Sequence, residues 1–426
     1  MLDIKLIRSN PDLVREDLAK RGNKEKQEWL EDLLQKDKEY RQLLVDLEKM
    51  KAERNQATKK IAELVKAKKD ASNEKKAASE LPVKIKEAEV KVIELQEKVK
   101  FYLMRLPNIL HGSVPIGRGE EGNEVVREWG KKKNFDFVPK SHVDIIQDLD
   151  LADIERAAKI SGSRFYFLKG DLVLLEQAVL NFAMNYMVKK GYTPISPPTM
   201  MKTKPYEGVT DLADFELVMY KDQKEDLNLI ATSEHPIAAM YMDEILPEES
   251  LPLKYAGISQ CYRKEAGAHG KDTKGIFRVH QFNKIEQYVF CKPEDSWKMH
   301  EELLKNAEEI FQALEIPYRV MNICTGDIGI VAAKKYDMEA WMPAQETYRE
   351  VVSCSNCTTY QSVRSNIKYG KVGGDKDFVH TLNSTAIATP RALVAIMENY
   401  QNKDGSITVP KVLVPFMGKD KISKKK

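Results

Sequence analysis

Apolar residues recur along residues 81–106 in alternating steps of four and three: Leu81, Ile85, Ala88, Val92, Leu95, Val99, Tyr102 and Leu106. Such a stripe is the heptad seam of a helix packed lengthwise against a partner. The preceding segment repeats the spacing less strictly through Leu30, Leu33, Tyr40, Leu44, Leu47, Ile61 and Val65. Between them KAKKDASNEKKAASE breaks the pattern and predicts the turn of an antiparallel hairpin. Residues 24–106 hold one Pro and no Gly and are rich in Lys, Glu, Leu and Ala, the makeup of long helices. A first helix of about 40 residues would run roughly 60 Å, which describes a projecting arm and not a core.

Past Leu106 the texture changes. Pro107 ends the helix, and HGSVPIGRGEEGN reads as a linker. From about residue 130 to 418, helical segments such as LVLLEQAVLNFAMNYMVKKG alternate with strand-like runs such as FRVHQFNKIEQYVF. This predicts an α+β domain on an antiparallel sheet. The Lys-rich tail KDKISKKK is expected to fray. Within residues 255–290, two strand-like runs flank a polar loop with Gly267, Gly270 and Gly275, the pattern of a hairpin. Period-two alternation puts Arg278, Phe282 and Glu286 on one face of the second run, with roughly 13 Å between successive members. The first run adds Arg263 and Glu265. A cation, an aromatic ring and a carboxylate in line would suit an elongated ligand with an anionic end, a flat ring and an amine. An exposed sheet face with scattered charges is the plainer alternative. Two converging arginines favour a polyphosphate.

Composition adds bounds. The 426 residues are 42% hydrophobic and 31% charged, enough for one large domain and a second unit. With 68 Lys+Arg against 65 Asp+Glu the net charge is only +3, so a nucleic-acid surface would have to come from local clustering. The hairpin's tip has such a cluster: Lys59, Lys60, Lys66, Lys68, Lys69, Lys75 and Lys76 outnumber Glu63, Asp70 and Glu74. It reads either as a solvated helical face or as a contact surface for a phosphate backbone. Five cysteines, an odd and sparse set, point to a reducing compartment. MLDIKLIRSN lacks the apolar core of a signal peptide, and no apolar run approaches the ~18 residues of a membrane span. The expected setting is the cytoplasm, away from membranes.

The hairpin residues carry a resemblance. Arg263-Lys264-Glu265, the glycine-containing loop and RVHQFNKIEQ resemble motif 2 of class II aminoacyl-tRNA synthetases, in the version found in the seryl-tRNA synthetase family. GYTPISPPTM, ending near Pro197-Pro198, resembles motif 1, a helix and strand at the dimer interface of that class. STAIATPRALVAIMENY resembles motif 3, whose arginine would be Arg391. ATSEHP, EVVSCSN, DLADIERAAKISGSRFYFLKG and the N-terminal hairpin are also similar to the seryl family, in matching order over nearly the whole chain.

The resemblance implies a tRNA-binding helical arm over residues 1–106 and a class II catalytic domain over 107–426. It implies ATP-dependent activation of L-serine and transfer to tRNA(Ser), by a homodimer that binds tRNA across its subunits, and leaves open whether tRNA(Sec) is a further acceptor. Arg263 would bind the α-phosphate of ATP and stabilise the transition state. Arg278 would take the γ-phosphate, Arg391 would complete the clamp, Phe282 would stack on adenine, and Glu265 would help hold the adenine end, with Lys264 and Val279 beside them. Glu350 and Ser353 would bind Mg²⁺ bridging the phosphates. Thr232, Ser233, Glu234, Glu286, Asn383 and Thr385 would form the serine pocket, the carboxylates facing its ammonium and Thr385 its hydroxyl. Lys66, Lys68, Lys69, Lys75 and Lys76 would contact tRNA. The chain departs from the family where Ser384-Thr385 replaces the usual Gly-Ser, which leaves the local contact to serine open.

Other features read more plainly. Cys354-x-x-Cys357 has the spacing of half a zinc site, but no second pair exists, so thiols near the active-site strand are expected. His269 and His280 flank motif 2, yet adenylate formation needs no base because the serine carboxylate is already ionised. Both read as structural. Two other readings compete: a relative that loads a carrier other than tRNA, against which the basic arm argues, and a silent tRNA-binding homologue, against which the complete residue set argues.

Overall fold

The computed structural model describes residues 1–211, 217–222, 224–265, 274–371 and 373–424, apart from the side chain of Ala77. Two compact units divide the chain, Leu2–Pro107 and Asn108–Lys426.

The first unit is built on α1 (Lys24–Lys66, 43 residues) and α2 (Ser72–Leu103). At about 1.5 Å per residue α1 is close to 64 Å long. Its N-terminus is capped by the Asn23 side chain, which accepts from the Lys26 N–H. Leu47, Ile85 and Ala88 form the buried seam, flanked by Leu43, Met50, Leu81 and Val92. Nearer the base Leu30 and Leu33 are fully buried, and Tyr102 donates to Asp32 at 2.5 Å. Asp37, also buried, accepts from Arg8 of the short helix Ile4–Ser9 at 2.6 and 2.8 Å and from Arg41 at 3.0 Å.

Two expectations for this unit need correction. Val65 is 55% exposed, and Leu64 turns to the half-buried side instead. The turn is also shorter than the gap in the apolar pattern, because Asp70 accepts from the Ser72 N–H and hydroxyl and starts α2 at once. Lys, Glu and Ala sustain a helix without any apolar face to bury.

The second unit is an eight-stranded sheet. In chain order its strands are β1 (Glu124–Trp129), β2 (Thr193–Ile195), β3 (Leu253–Tyr262), β4 (Gln281–Cys291), β5 (Tyr318–Asn322), β6 (Lys334–Met342), β7 (Thr347–Thr358) and β8 (His380–Ala388). Their spatial order is β1-β5-β6-β7-β8-β4-β3-β2, antiparallel throughout except for β2 against β3. Helices α3 (Asp171–Lys189), α4 (Ser296–Ala313) and α5 (Thr389–Asn399) cover one face. Leu175, Ala183, Leu303, Phe311, Leu393 and Ile396 meet Ile285, Val289, Met338, Val352 and Ala386 there in one continuous core. Alternation along each strand therefore sends the intervening side chains to the opposite face.

Three further expectations change. The 111–123 segment is packed, not a free linker: a Cβ on Gly117 or Gly122 would meet the Cys324 side chain, and the Gly117 N–H donates to Thr325 Oγ1 at 3.2 Å. The tail is tied down as far as Ile422, which is fully buried on a strand pairing Lys421–Ile422 with Ile407–Thr408. Strand β4 begins at Gln281, so Arg278 precedes it; likewise β3 ends at Tyr262, ahead of Arg263 and Glu265. The alternating residues just outside the ladder imitate strand in sequence without pairing as strand. Gly267, His269 and Gly270 lie outside the described residues.

Candidate active site

On the uncovered face, β4, β7 and β8 line a cavity of about 380 Å³. Strand β4 contributes Phe282, Lys284 and Glu286, spaced two apart and therefore facing one way. A register shift between Ile285 and Glu286 brings Glu286 opposite Thr385 of β8. Asn383 lines the same wall, while Ser384 is fully buried opposite Cys354. Of the two residues that replace Gly-Ser, the first thus adds its hydroxyl to the packed face and only Thr385 meets the cavity.

Two buried carboxylates line the cavity. Glu234, at the start of a short helix, accepts from Gln361 Nε2 and Asn383 Nδ2, both at 3.1 Å. Burial, reinforced by the negative charge of Glu286, pushes its pKa up to about 7. Glu286 is 2% exposed, and burial raises its pKa as well, against the pull of Lys284, whose Nζ lies 2.5 Å away. Thr232 stands beside them, its hydroxyl accepting from the Glu234 N–H at 3.2 Å. The buried His235 is pushed down to about 3 by burial and the nearby Lys284 and Arg263, so it is neutral, with Nδ1 2.7 Å from the Tyr206 hydroxyl.

Three arginines line the cavity as well. Arg263 lies with its guanidinium carbon 5.3 Å from the Phe282 ring centroid and donates from Nε to the Ala231 carbonyl at 3.3 Å. Its backbone is held although the ladder has ended: its N–H donates to the His280 carbonyl at 2.9 Å, and its own carbonyl lies 2.8 Å from His280 Nδ1. Arg278 reaches Glu265 Oε2 at 2.9 Å. Arg391, in the first turn of α5, donates to the Glu350 carbonyl at 2.7 Å and lies 3.2 Å from its carboxylate. Arg391 and Arg349 both sit over the buried Phe277 ring, at 5.1 and 4.4 Å. Val279, Glu265 and Ser353 complete this part of the wall.

Two of the expected residues are not on the wall. Ser233 is fully buried and donates to the Gly257 carbonyl at 3.0 Å, turned into the sheet. Lys264 is exposed, its Nζ 5.9 Å from the Tyr220 ring. Each is the middle member of a triplet whose neighbours face the cavity. Three polar residues escaped the sequence reading. Lys284 and Lys335 line the cavity, and Lys335 pairs with Asp337 at 3.2 Å; burial, with the nearby charge of Glu350, raises the Asp337 pKa. Asp337 Oδ1 is buried without a hydrogen-bond partner, and Asp337 pairs in register with Ser353. Carboxylate and hydroxyl oxygens at Glu350, Ser353 and Asp337 are hard donors that fit Mg²⁺. Among the described residues no cluster of three or more His, Cys, Asp or Glu stands ready to cage a metal alone. The set therefore fits an ion that draws most of its oxygen ligands from phosphates and water. Cys354 belongs to the helix-covered core and Cys357 to the cavity wall, so the Cys-x-x-Cys pair faces opposite sides of β7.

An antiparallel sheet with the motif 2 arginine just past β3, which pairs with β4, and the motif 3 arginine at the head of a helix is the catalytic core of a class II aminoacyl-tRNA synthetase. Residues 215–400 match the family model of the class II core domain (G, H, P, S and T), and residues 1–110 match that of the seryl-tRNA synthetase N-terminal domain. The chain belongs to the seryl-tRNA synthetase family. It is 58% identical over 422 residues to a serine–tRNA ligase of Methanocella arvoryzae, covering 98% of this chain and 99% of the relative. The seryl-tRNA synthetase of Pyrococcus horikoshii, solved in complex with ATP, superposes with a TM-score of 0.94 at 49% identity over 100% of both chains. The cytoplasmic serine–tRNA ligase of Naegleria fowleri, in complex with AMP, gives 0.89 at 37% identity over 100% of this chain and 99% of its own. No helix among the described residues is long and apolar enough to cross a membrane.

Proposed function

We propose that the chain condenses L-serine with ATP to seryl-adenylate and pyrophosphate, then transfers the seryl group to the 3′-terminal ribose of tRNA(Ser). The observation that most supports this is a single cavity lined by three arginines, Arg263, Arg278 and Arg391, and by two buried carboxylates, Glu234 and Glu286. The arginines suit a triphosphate and the carboxylates an ammonium. The names of the relatives from Methanocella arvoryzae and Pyrococcus horikoshii agree with it.

The serine carboxylate, ionised at neutral pH, attacks the α-phosphorus; the bond to the β-phosphate oxygen breaks, and pyrophosphate leaves with the electron pair. Arg263 stabilises the charge that develops at the α-phosphate. Arg278 and Arg391 hold the distal phosphates, while Phe282 stacks on adenine with Glu265 at that end. Glu234 and Glu286 hold the ammonium, and the Thr385 hydroxyl faces that of serine. Glu350 and Ser353, with Asp337 behind them, would hold Mg²⁺, which when bound neutralises phosphate charge. In the second step the ribose hydroxyl attacks the activated carbonyl and AMP leaves.

In the same reading the chain works as a cytoplasmic homodimer, tRNA binds across two subunits through the arm's lysines, and tRNA(Sec) is a second acceptor. Pyrophosphate exchange with each of the twenty amino acids, followed by charging of tRNA(Ser) and tRNA(Sec) transcripts, tests it. Serine alone should drive exchange; exchange driven by another amino acid would overturn the reading.

A further inference from the structure

Outside the substrate contacts, one buried cluster stands behind the arginines that line the cavity. His142, 6% exposed, opens the short helix His142–Asp148. Its backbone N–H and its ring Nδ1 both reach Glu398 Oε1, at 3.2 and 3.3 Å. Glu398 is fully buried near the end of α5, the helix that begins beside Arg391, and its other oxygen accepts from the Ala344 N–H at 3.2 Å. One carboxylate therefore ties together the motif 3 helix, residue 142 and the turn before β7.

The opposite edge of the ring faces something different. His142 Nε2 is buried without a hydrogen-bond partner and lies against Gly275, where a Cβ would fall 2.2 Å from it. Gly275 has φ +75°, so two independent constraints call for glycine there. Two residues on is Phe277, which carries Arg391 and Arg349 on its ring, and three residues on is Arg278. Since β4 begins only at Gln281, no ladder hydrogen bonds fix this stretch.

We infer that His142, oriented by Glu398, is a positioning residue for ATP: its ring, wedged against Gly275, sets where Phe277 and Arg278 stand. The inference rests on reading the cavity as an ATP site. A space filler alone would not need a carboxylate on Nδ1 or leave Nε2 unpaired. With Nδ1–H on Glu398, the ring plane is fixed and its bare edge meets the glycine. Serine contacts lie on β4, β8 and the Glu234 helix, and the hydrogen bonds of His142 and Glu398 run instead to each other, to Ala344 and to Gln401.

The test uses the full chain with His142→Ala, His142→Phe and Glu398→Gln. ATP affinity is measured by equilibrium dialysis without serine, alongside the KM of each substrate in pyrophosphate exchange and the thermal midpoint. His142→Ala should weaken ATP binding on the order of tenfold, as expected when a phosphate-binding group is displaced, and leave the serine KM within about twofold. His142→Phe, which refills the space beside Gly275 but cannot be oriented by Glu398, should recover only part of that loss. Glu398→Gln should weaken ATP binding by a smaller factor in the same direction. Unchanged ATP affinity in a folded His142→Ala chain, or equal losses for serine and ATP, would overturn the inference. Should the alanine variant not fold, unchanged ATP affinity in Glu398→Gln would overturn it equally. Because ATP affinity is read without serine, an unaltered chain that binds ATP but lacks serine-dependent exchange would count against the proposed function and not against His142.

Discussion

The two units of the chain use charge in opposite ways. In the arm the five lysines from Lys66 to Lys76 assigned to tRNA are all exposed, with no side-chain ion pair among the described residues. Beyond Leu43 the buried seam is narrow and lies between two helices. In the catalytic unit some of the cavity's charges are withdrawn from water: Lys284 and Glu286 are 5% and 2% exposed. Solvated charges act at long range, additively and under screening by salt, whereas desolvated ones act by contact and respond to single protons. Changes in the arm should therefore be graded and salt-sensitive, and changes in the cavity abrupt and specific to one substrate.

The largest break between the units comes from removing one of them. Because α1 and α2 bury their seam against each other, replacing residues 27–103 by a short Gly/Ser linker should leave serine-dependent pyrophosphate exchange within a few-fold of the unaltered chain. Charging of tRNA should fall by roughly 10³ or more, as expected when the main phosphate contacts are lost. Parallel loss of both activities in a folded protein would deny the arm a dedicated role, and unchanged charging would deny it any.

Inside the cavity, Arg263→Ala should slow adenylation by at least ~10², the usual effect of deleting one preorganised donor at the reacting centre, with serine affinity little altered. Exchange kinetics within threefold of the unaltered chain would remove Arg263 from the α-phosphate. Glu286→Gln keeps the shape but not the charge. Its cost, ~1.5–3 kcal/mol, should appear in the serine KM and kcat/KM while ATP binding alone is preserved. Collapse of ATP affinity with serine affinity intact would place Glu286 in the wrong half of the site.

How far the sequence could be read follows the same division. The arm was legible because a two-helix seam leaves a one-sided stripe, and every position from Leu81 to Leu106 in that stripe is buried or half-buried. The overreach at its tip came from equating a gap in the apolar stripe with a turn. The sheet was legible from alternation, and so were Phe282 and Glu286. Arg278 lines the cavity as read, but ahead of the strand and not on it, because Phe277–His280 alternates like a strand without being paired as one. Lys284 and Asp337 were missed because a charged residue in a half-polar strand looks solvent-facing until the neighbouring strands close over it. Ser233 and Lys264 were over-included because sequence neighbours of contact residues point the other way.

A smaller effect should come from one proton. With its pKa near 7, Glu234 is largely protonated at pH 6 and has no charge to offer an ammonium. The serine KM should fall as pH rises toward 7, by up to about tenfold per pH unit below the pKa, and level off above it. Glu234→Gln should flatten that profile. Stability moves the other way: the folded chain holds this proton more tightly than the unfolded one, so its contribution declines as pH rises from about 4.5 to about 7. A serine KM independent of pH across this range in the unaltered chain would remove Glu234 from the ammonium site.

The smallest effect is also the one most particular to the arm. Lys75 and Lys76 are exposed on the first turns of α2, where Lys60 already pairs with Glu74 at 3.0 Å, so changing them to alanine disturbs no seam residue. If they neutralise phosphates, their loss removes about two counterions from those released on binding. The slope of log affinity for tRNA against log salt should then become shallower by roughly 1.5, with only a several-fold loss of affinity near 0.1 M salt. Pyrophosphate exchange should show no change at any salt concentration. An affinity loss with an unaltered slope would mean that the two lysines act through the fold of the tip. An unaltered affinity and slope would move the tRNA contact elsewhere along the arm, and the surface at Lys75 and Lys76 would be an ordinary solvated helix face.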